Sequence, residues 1–417
     1  MFKYKVYGGN KLYGKLEVDT AKNALLPILA GSIMCDQKVI IKKITYYEDV
    51  NKMIDILNHL GVTVKKTEYG IEIDSSSICK NEIPSMLSST LRASIFFLGP
   101  LISKFKKATI YYPGGCNIGC RPINIHLDSL KTLGATIYDK HGYVCVDGTK
   151  MKSGFVHLPF PSVGATENVI MASLFLKGKT TISGAAKEPE IIDLCNFLNA
   201  MGAKIVGAGT DMIEIDGITN LKSVTFTPIN DRIIAGTYAL IPLITGGEIE
   251  IDGVNPNHIL PLINIIKNSS CKIHILNDKI VVQSDKRVNG FGMVETLPYP
   301  HFPTDLQQPL CSAATTANGT TVIVENLFEN RFKHVPNLVK MGANIRIKDR
   351  VCVVEGVKKL LGADLQAEDL RGGASLLLAS LGAEGYSIIS NADIICRGYF
   401  DLDKKLKSIG ANVEIIE

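Results

Sequence analysis

The 417-residue chain contains no run of 18 apolar residues, so no membrane-spanning helix is expected. It opens Met-Phe-Lys-Tyr-Lys-Val-Tyr without an apolar signal core, which argues against export and for a cytoplasmic protein. Charge of one sign is scarce too. The 45 basic and 41 acidic residues leave +4, too weak and diffuse to point to nucleic acid. A P-loop lysine motif, a G-x-G-x-x-G after a strand, H-E-x-x-H and G-x-S-x-G are all missing. P-loop ATPase, nucleotide dehydrogenase and serine hydrolase readings lose their support. Ten cysteines in a leaderless chain of this length read as reduced thiols rather than a disulfide framework. What the chain does have is 46% hydrophobic residues and 21% charged ones. That is ordinary globular composition, enough for about 2–3 domains with cores that need no staples.

One phrase recurs: an apolar helix end, a glycine, then a β-branched hairpin strand. It stands at Gly61, Gly134, Gly202, Gly342 and Gly410, with a degenerate copy at Ser270-Cys271-Lys272-Ile273. The steps are 73, 68, 68, 72 and 68 residues. The glycine is the left-handed helix stop expected before a strand. Each unit reads strand, small-residue helix (Ser162–Leu176), short strand (Thr180–Ser183), amphipathic helix (Glu190–Met201) and hairpin (Lys204–Asp216). Six βαβαββ units in two groups of three give an α/β protein, since each helix needs partner faces. The sixth unit ends before its last hairpin strand, and Tyr4–Gly9 supplies a candidate for it. One domain is therefore expected over 21–229 and the other over 1–20 plus 230–417. The chain would cross twice, and double crossings behave as hinges.

Cations recur in register. Lys22, Arg92, Arg232 and Arg371, separated by 70, 140 and 139 residues, stand where the first helix of a unit begins. Unit five carries Asp305 there, and unit three carries Ser162-Val163-Gly164. Arg121, Arg331 and Arg397 occupy a second station at the starts of the second helices. Helix N-termini already carry partial positive charge, so cations there call for an anion. Gathered in one interdomain cleft, these cations would bind phosphate and carboxylate together. Taken singly, each also reads as a solvated helix end or a partner of Glu188, Glu190, Glu329 or Asp393. Asp305 reads either as a base among cations or as a helix cap. The loop Pro113-Gly114-Gly115-Cys116-Asn117-Ile118-Gly119-Cys120-Arg121-Pro122 places Cys116 at a glycine-rich tip near a cation. Such surroundings lower a thiol pKa, though an inert buried cysteine is the alternative. Cys116, Cys120 and His126 lack a fourth ligand at zinc spacing.

These stretches together resemble the UDP-N-acetylglucosamine 1-carboxyvinyltransferases, a family of enolpyruvyl transferases. The resemblance runs through Ala21-Lys22-Asn23-Ala24, Leu91-Arg92-Ala93-Ser94, 113–122, Ser162-Val163-Gly164-Ala165-Thr166 and Glu188-Pro189-Glu190-Ile191. It continues through 302–307, Glu329-Asn330-Arg331-Phe332, Asp369-Leu370-Arg371 and Arg397-Gly398-Tyr399. It implies a two-domain inside-out α/β barrel with its active site in the interdomain cleft. It also implies transfer of the enolpyruvyl group of phosphoenolpyruvate to the 3-hydroxyl of UDP-N-acetylglucosamine, with release of phosphate. That is the first committed step of peptidoglycan synthesis, run without metal or organic cofactor.

By the resemblance, Cys116 protonates the enol carbon, can carry a covalent adduct and is the fosfomycin target. Asp305 takes the sugar hydroxyl proton. Lys22, Arg121 and Arg397 hold phosphate; Arg331 and Arg371 hold carboxylate; Asn23 meets the sugar or the intermediate. Arg121, Pro122, Ile123, Asn124 and Ile125 hold the uridine diphosphate with Ser162, Val163 and Gly164. Arg92 and Leu327 complete that pocket. The partners implied are these two small molecules, with neither nucleic acid nor membrane; the sequence leaves the oligomeric state open, a monomer being favoured. Three positions depart from the family pattern: Thr20 for glycine, Asn124 for aspartate, and Phe160 where some relatives carry lysine.

Overall fold

A computed structural model describes residues 2–114, 123–140, 142–285 and 287–417. Each repeat builds one four-stranded sheet, and all six follow one plan. In the third, Phe155–His157 pairs in parallel with Lys179–Ser183. Met212–Asp216 then adds antiparallel, and Lys204–Val206 closes the hairpin. The strands alternate in burial, as in the eBiBi pattern of Lys107–Tyr111, Lys179–Ser183 and Tyr386–Ser390. One face of each sheet is wet and the other covers helices, as antiparallel sheets allow.

The helices beneath are of two kinds. The first helix of each repeat is apolar nearly all round. Arg232–Ala239 and Gln307–Ala314 are buried at every position, and Leu370–Gly382 at all but its last. Such helices form a core rather than a surface. Small residues let them meet closely. Ser312 Oγ lies 2.6 Å from Ser375 Oγ on the neighbouring helix. A Cβ on Gly99 would lie 2.6 Å from the Asn168 carbonyl oxygen. Helices inside and sheets outside follow directly from this distribution.

The left-handed stations explain the repeat. Gly61, Gly134, Gly202, Gly342 and Gly410 have φ between 93° and 104°, and Ser270 stands at 72°. The degenerate copy thus keeps the backbone conformation without the glycine, at a cost of roughly 1–2 kcal/mol.

Two compact units divide the chain. One runs from Thr20 to Ile229; the other comprises the segment ending at Asp19 plus Asn230–Glu417. Each holds three sheets, and three strands reach their sheets from far along the chain. Lys3–Tyr7 lies between Tyr386–Ser390 and Asn412–Ile416, completing the sixth hairpin. Leu12–Glu17 pairs in parallel with Gly247–Asp252. Val224–Phe226 supplies the parallel edge of the first sheet against Val39–Lys42, a strand the repeat pattern did not single out.

Candidate active site

The first-station cations sit at helix starts. Lys22, Arg92 and Arg232 are the first residues of the helices Lys22–Gly31, Arg92–Phe97 and Arg232–Ala239. Arg371 is the second residue of Leu370–Gly382. Two of these helices are capped by acids: Asp231 accepts from the Ile233 and Ile234 N–H groups, and Asp369 from those of Arg371 and Gly372. The second station differs from expectation. Arg331 lies in the turn preceding Val335–Lys340, and Arg397 ends the short helix Ala392–Arg397, before Leu402–Ser408. These second helices start later than the sequence suggested, and the arginines ride on the turns before them. Cys116, Arg121 and Pro122 lie outside the described residues, as do the other residues of 115–122.

In the unit containing Asn230–Glu417, Asp305 is held by two arginines. Arg331 Nη2 donates to Oδ1 at 2.5 Å, and Arg371 Nη2 to Oδ2 at 3.4 Å. The guanidinium side chains are only 2% and 3% exposed, whereas the carboxylate is 29% exposed. Pro303, not Asp305, occupies the cap position of its short helix. Asp305 is therefore an open-faced anion on a buried cationic floor. Nε of both arginines and Nη1 of Arg371 are buried with no hydrogen-bond partner among the described residues. Buried donors of this kind are expensive unless a ligand satisfies them.

Stacking aligns the pair. The Arg331 guanidinium lies over the Phe328 ring at 5.5 Å, and that of Arg371 over the Tyr399 ring at 5.2 Å. Tyr399 is fixed in turn by the Thr237 hydroxyl at 2.9 Å. Burial opposes the charge of Arg371, but Tyr399, Asp305 and Asp231 outweigh it and hold the group above the ordinary arginine range. Burial and neighbouring Arg331 instead push His334 down to about 4, against Asp369, so its imidazole is neutral. Gln308 Nε2 donates to Asp369 Oδ2 at 3.1 Å beneath these groups. Arg397 precedes Gly398, where an added Cβ would meet Leu370 Cδ1 at 3.0 Å, next to Arg371.

Leu327 is tied to the Asp305 turn by Glu325. This fully buried carboxylate accepts from the Leu327 N–H at 2.9 Å, the Phe328 N–H at 3.1 Å and the Thr304 hydroxyl at 2.8 Å. The expected sugar-pocket residue and the expected base thus share one anchor.

In the other unit, Lys22 is 9% exposed and its ammonium meets Asp49 Oδ2 at 3.1 Å. Asn23 beside it is half-buried. The helix bearing Arg92, the segment Ile123–Ile125 and the turn Ser162–Gly164 converge. A Cβ on Gly164 would meet His126 Cε1 at 2.9 Å and Phe96 Cε1 at 3.1 Å. Ser162 caps its helix through the Ala165 N–H, leaving Val163 and Gly164 half-exposed. Ile123 is buried, whereas Asn124, the departure from aspartate, is exposed at a helix start.

Sequence reasoning passed over Asp49, Glu325, Gln308 and Asn168. Asp231 and Asp369 carry a signal that was available, an acid one or two residues before a station cation. A surface depression of about 650 Å³ bordered by Asn257, Leu260, Met293 and Tyr299 contains none of the expected site residues. Among the described residues no helix is long and apolar enough to cross a membrane.

The fold defines a class. The solved enolpyruvyl transferase NikO from Streptomyces tendae superposes with a TM-score of 0.90, over 100% of this chain and 99% of that one, at 22% identity. EPSP synthase from Acinetobacter baumannii superposes at 0.75 over the whole of both chains, at 17% identity. The chain thus has the two-domain inside-out α/β fold of enolpyruvyl transferases. The sequence pattern of EPSP synthase (3-phosphoshikimate 1-carboxyvinyltransferase) matches residues 6–406. UDP-N-acetylglucosamine 1-carboxyvinyltransferase 2 of Caldanaerobacter subterraneus is 46% identical over 99% of both chains. The protein of the same name from Clostridium tetani is 43% identical, again over 99% of each. UDP-N-acetylglucosamine 1-carboxyvinyltransferase 1 of Clostridium acetobutylicum is 42% identical over the full length of both. The chain belongs to this family of carboxyvinyl transferases.

Proposed function

We propose that this protein transfers the enolpyruvyl group of phosphoenolpyruvate to the 3-hydroxyl of UDP-N-acetylglucosamine, releasing phosphate, in peptidoglycan synthesis. The observation that carries this reading is 40–46% identity, over 99–100% of the chain, to proteins bearing that activity in their names.

The chemistry asks for an acid, a base and cations on two sides of a dianionic enol. Cys116 gives its thiol proton to the methylene carbon of phosphoenolpyruvate. The carbon bearing the phosphate becomes electrophilic, and the sugar 3-oxygen bonds to it. Asp305 takes the hydroxyl proton. In the second half a proton leaves the new methyl group for the Cys116 thiolate, the carbon–carbon double bond reforms, and the bond to the phosphate oxygen breaks, releasing phosphate. General acid and base steps of this kind contribute about 10²–10⁴-fold each.

Arg331 and Arg371 receive the carboxylate, and their buried, unsatisfied N–H groups support that role. Lys22, Arg121 and Arg397 receive the phosphate and stabilise it as it leaves. Arg92, Ile123–Ile125, Ser162–Gly164 and Leu327 hold the nucleotide-sugar with Arg121, Pro122 and Asn23. The reading places the protein in the cytoplasm.

The test is phosphate release against a panel of acceptors. UDP-N-acetylglucosamine supporting release while shikimate 3-phosphate does not is the expected outcome. The opposite preference would overturn the assignment of the acceptor and leave the class intact.

A further inference from the structure

Asn168 lies in the unit that contains the Arg92, 123–125 and 162–164 segments assigned above to the nucleotide-sugar. It is fully buried on the helix Val163–Ser173 and ties two other stretches of chain, Ile95–Gly99 and that of His126, to its own helix. Its Oδ1 accepts from the Gly99 N–H at 2.8 Å. Its Nδ2 donates to the Ile95 carbonyl at 3.0 Å and lies 2.8 Å from His126 Nδ1. The first two contacts settle which way the amide points, because an N–H can only donate and a carbonyl can only accept. One Nδ2 hydrogen goes to Ile95, so the other is directed at His126 Nδ1. A nitrogen that receives a hydrogen cannot also carry one. His126 is therefore neutral, unprotonated at Nδ1 and protonated at Nε2.

The protonated edge has a defined position. A Cβ on Gly164 would lie 2.9 Å from His126 Cε1 and 3.3 Å from Nε2, so that edge lies over the Ser162–Gly164 turn. His126 also directly follows Ile125, the last residue of the other segment assigned to the uridine diphosphate.

From this geometry we propose that Asn168 is a positioning residue for the nucleotide-sugar. It locks His126 as the Nε2–H tautomer and fixes the Arg92 helix, the 123–126 segment and the 162–164 turn against one another, so that these segments are held in one arrangement for the diphosphate sugar. The proposal rests on the reading of these segments as the nucleotide-sugar site. Its first test is independent of that reading.

In ¹⁵N-labelled protein without substrates, the His126 ring, assigned by the signal lost in His126→Gln, should show a bare Nδ1 and a protonated Nε2 at neutral pH. A protonated Nδ1, in either the other tautomer or the imidazolium, would overturn the proposal. Asn168→Asp is nearly isosteric and puts a carboxylate oxygen where the amide hydrogens were, so Nδ1 should then become protonated. An unchanged ring would count against the lock. In the kinetic arm, Asn168→Ala should raise the KM for UDP-N-acetylglucosamine about tenfold, the equivalent of one hydrogen bond. Its KM for phosphoenolpyruvate should stay within about twofold, since one lost hydrogen bond acts on one substrate. Equal changes in both constants would mean a merely structural role and refute positioning. If the Ala variant fails to fold, the Asp variant carries the same kinetic comparison. A wild-type protein inactive with UDP-N-acetylglucosamine would sink the functional reading while leaving the tautomer measurement to stand or fall by itself.

Discussion

Replacing Asp305 with alanine should improve phosphoenolpyruvate binding while sharply slowing turnover. The carboxylate occupies the guanidinium groups that the reaction assigns to the substrate's own carboxylate, with contacts of 2.5 Å from Arg331 and 3.4 Å from Arg371. Substrate and base compete for one cationic floor, and an aspartate so held is a weaker base until the substrate takes over its partners. Hydrogen bonds to charged groups are worth about 1.5–3 kcal/mol net. With Asp305 29% exposed, solvent screening argues for the lower end. Recovering about 1.5 kcal/mol corresponds to roughly tenfold tighter binding. Loss of the base should lower kcat by about 10²–10⁴. Because the variant turns over that slowly, rapid-equilibrium titration of phosphoenolpyruvate in saturating UDP-N-acetylglucosamine, completed before appreciable product forms, reads the affinity directly. The variant should also unfold at a lower temperature, since removing one partner leaves two buried cations uncompensated. Phosphoenolpyruvate should restore much of that loss. Weaker or unchanged binding in Asp305→Ala would refute the competition.

Cys116→Ala should lose most phosphate release while Cys120→Ala retains it, and fosfomycin should add its mass at Cys116. Alkylation should strike Cys116 ahead of exposed Cys79 and far ahead of Cys35 and Cys195, whose thiols burial raises, the latter to about 12. Glu167 is buried with both oxygens unpartnered among the described residues, and burial, then Glu190 and Glu188, hold its carboxyl well above 4.5. The folded state then binds the extra proton, so the group's contribution is full below pH 4.5 and falls by about 1.4 kcal/mol per pH unit as pH rises towards the folded value. Between pH 5 and 8, Glu167→Gln should lose less melting temperature than wild type; parallel curves would remove the buried acid from the account. Gly202→Ala, with φ 104° and nothing within 4 Å of the new Cβ, should lose only about 1 kcal/mol by denaturant titration. Gly217→Ala, whose Cβ would sit 1.7 Å from the Leu176 oxygen, should lose several times that.

The repeat was legible because its marker is a backbone conformation that only glycine adopts cheaply, so five of six copies had to keep one residue type. Ser270, at φ 72°, shows the same station surviving without its marker, which is why that copy read as degenerate. The Lys3–Tyr7 strand was legible as a missing piece, since the sixth unit stopped one strand short. Val224–Phe226 was not, because three residues between repeats carry no periodicity to distinguish them. The cation register was visible at helix starts, where spacing alone counts positions. Its partners were hidden, because Asp49 meets Lys22 across 27 residues and Asp305 meets Arg371 across 66. Glu325 and Asn168 look like any strand glutamate or helix asparagine until folding buries them. Their roles depend on which segments they touch, and no local pattern records that.

Phosphate release from phosphoenolpyruvate, measured with UDP-N-acetylglucosamine present and with each substrate withheld in turn, puts the central claim to trial most simply. Release that demands both compounds, and that yields one enolpyruvyl ether per phosphate, is the outcome this account requires. Phosphate freed from phosphoenolpyruvate alone, or none with both present, would contradict it.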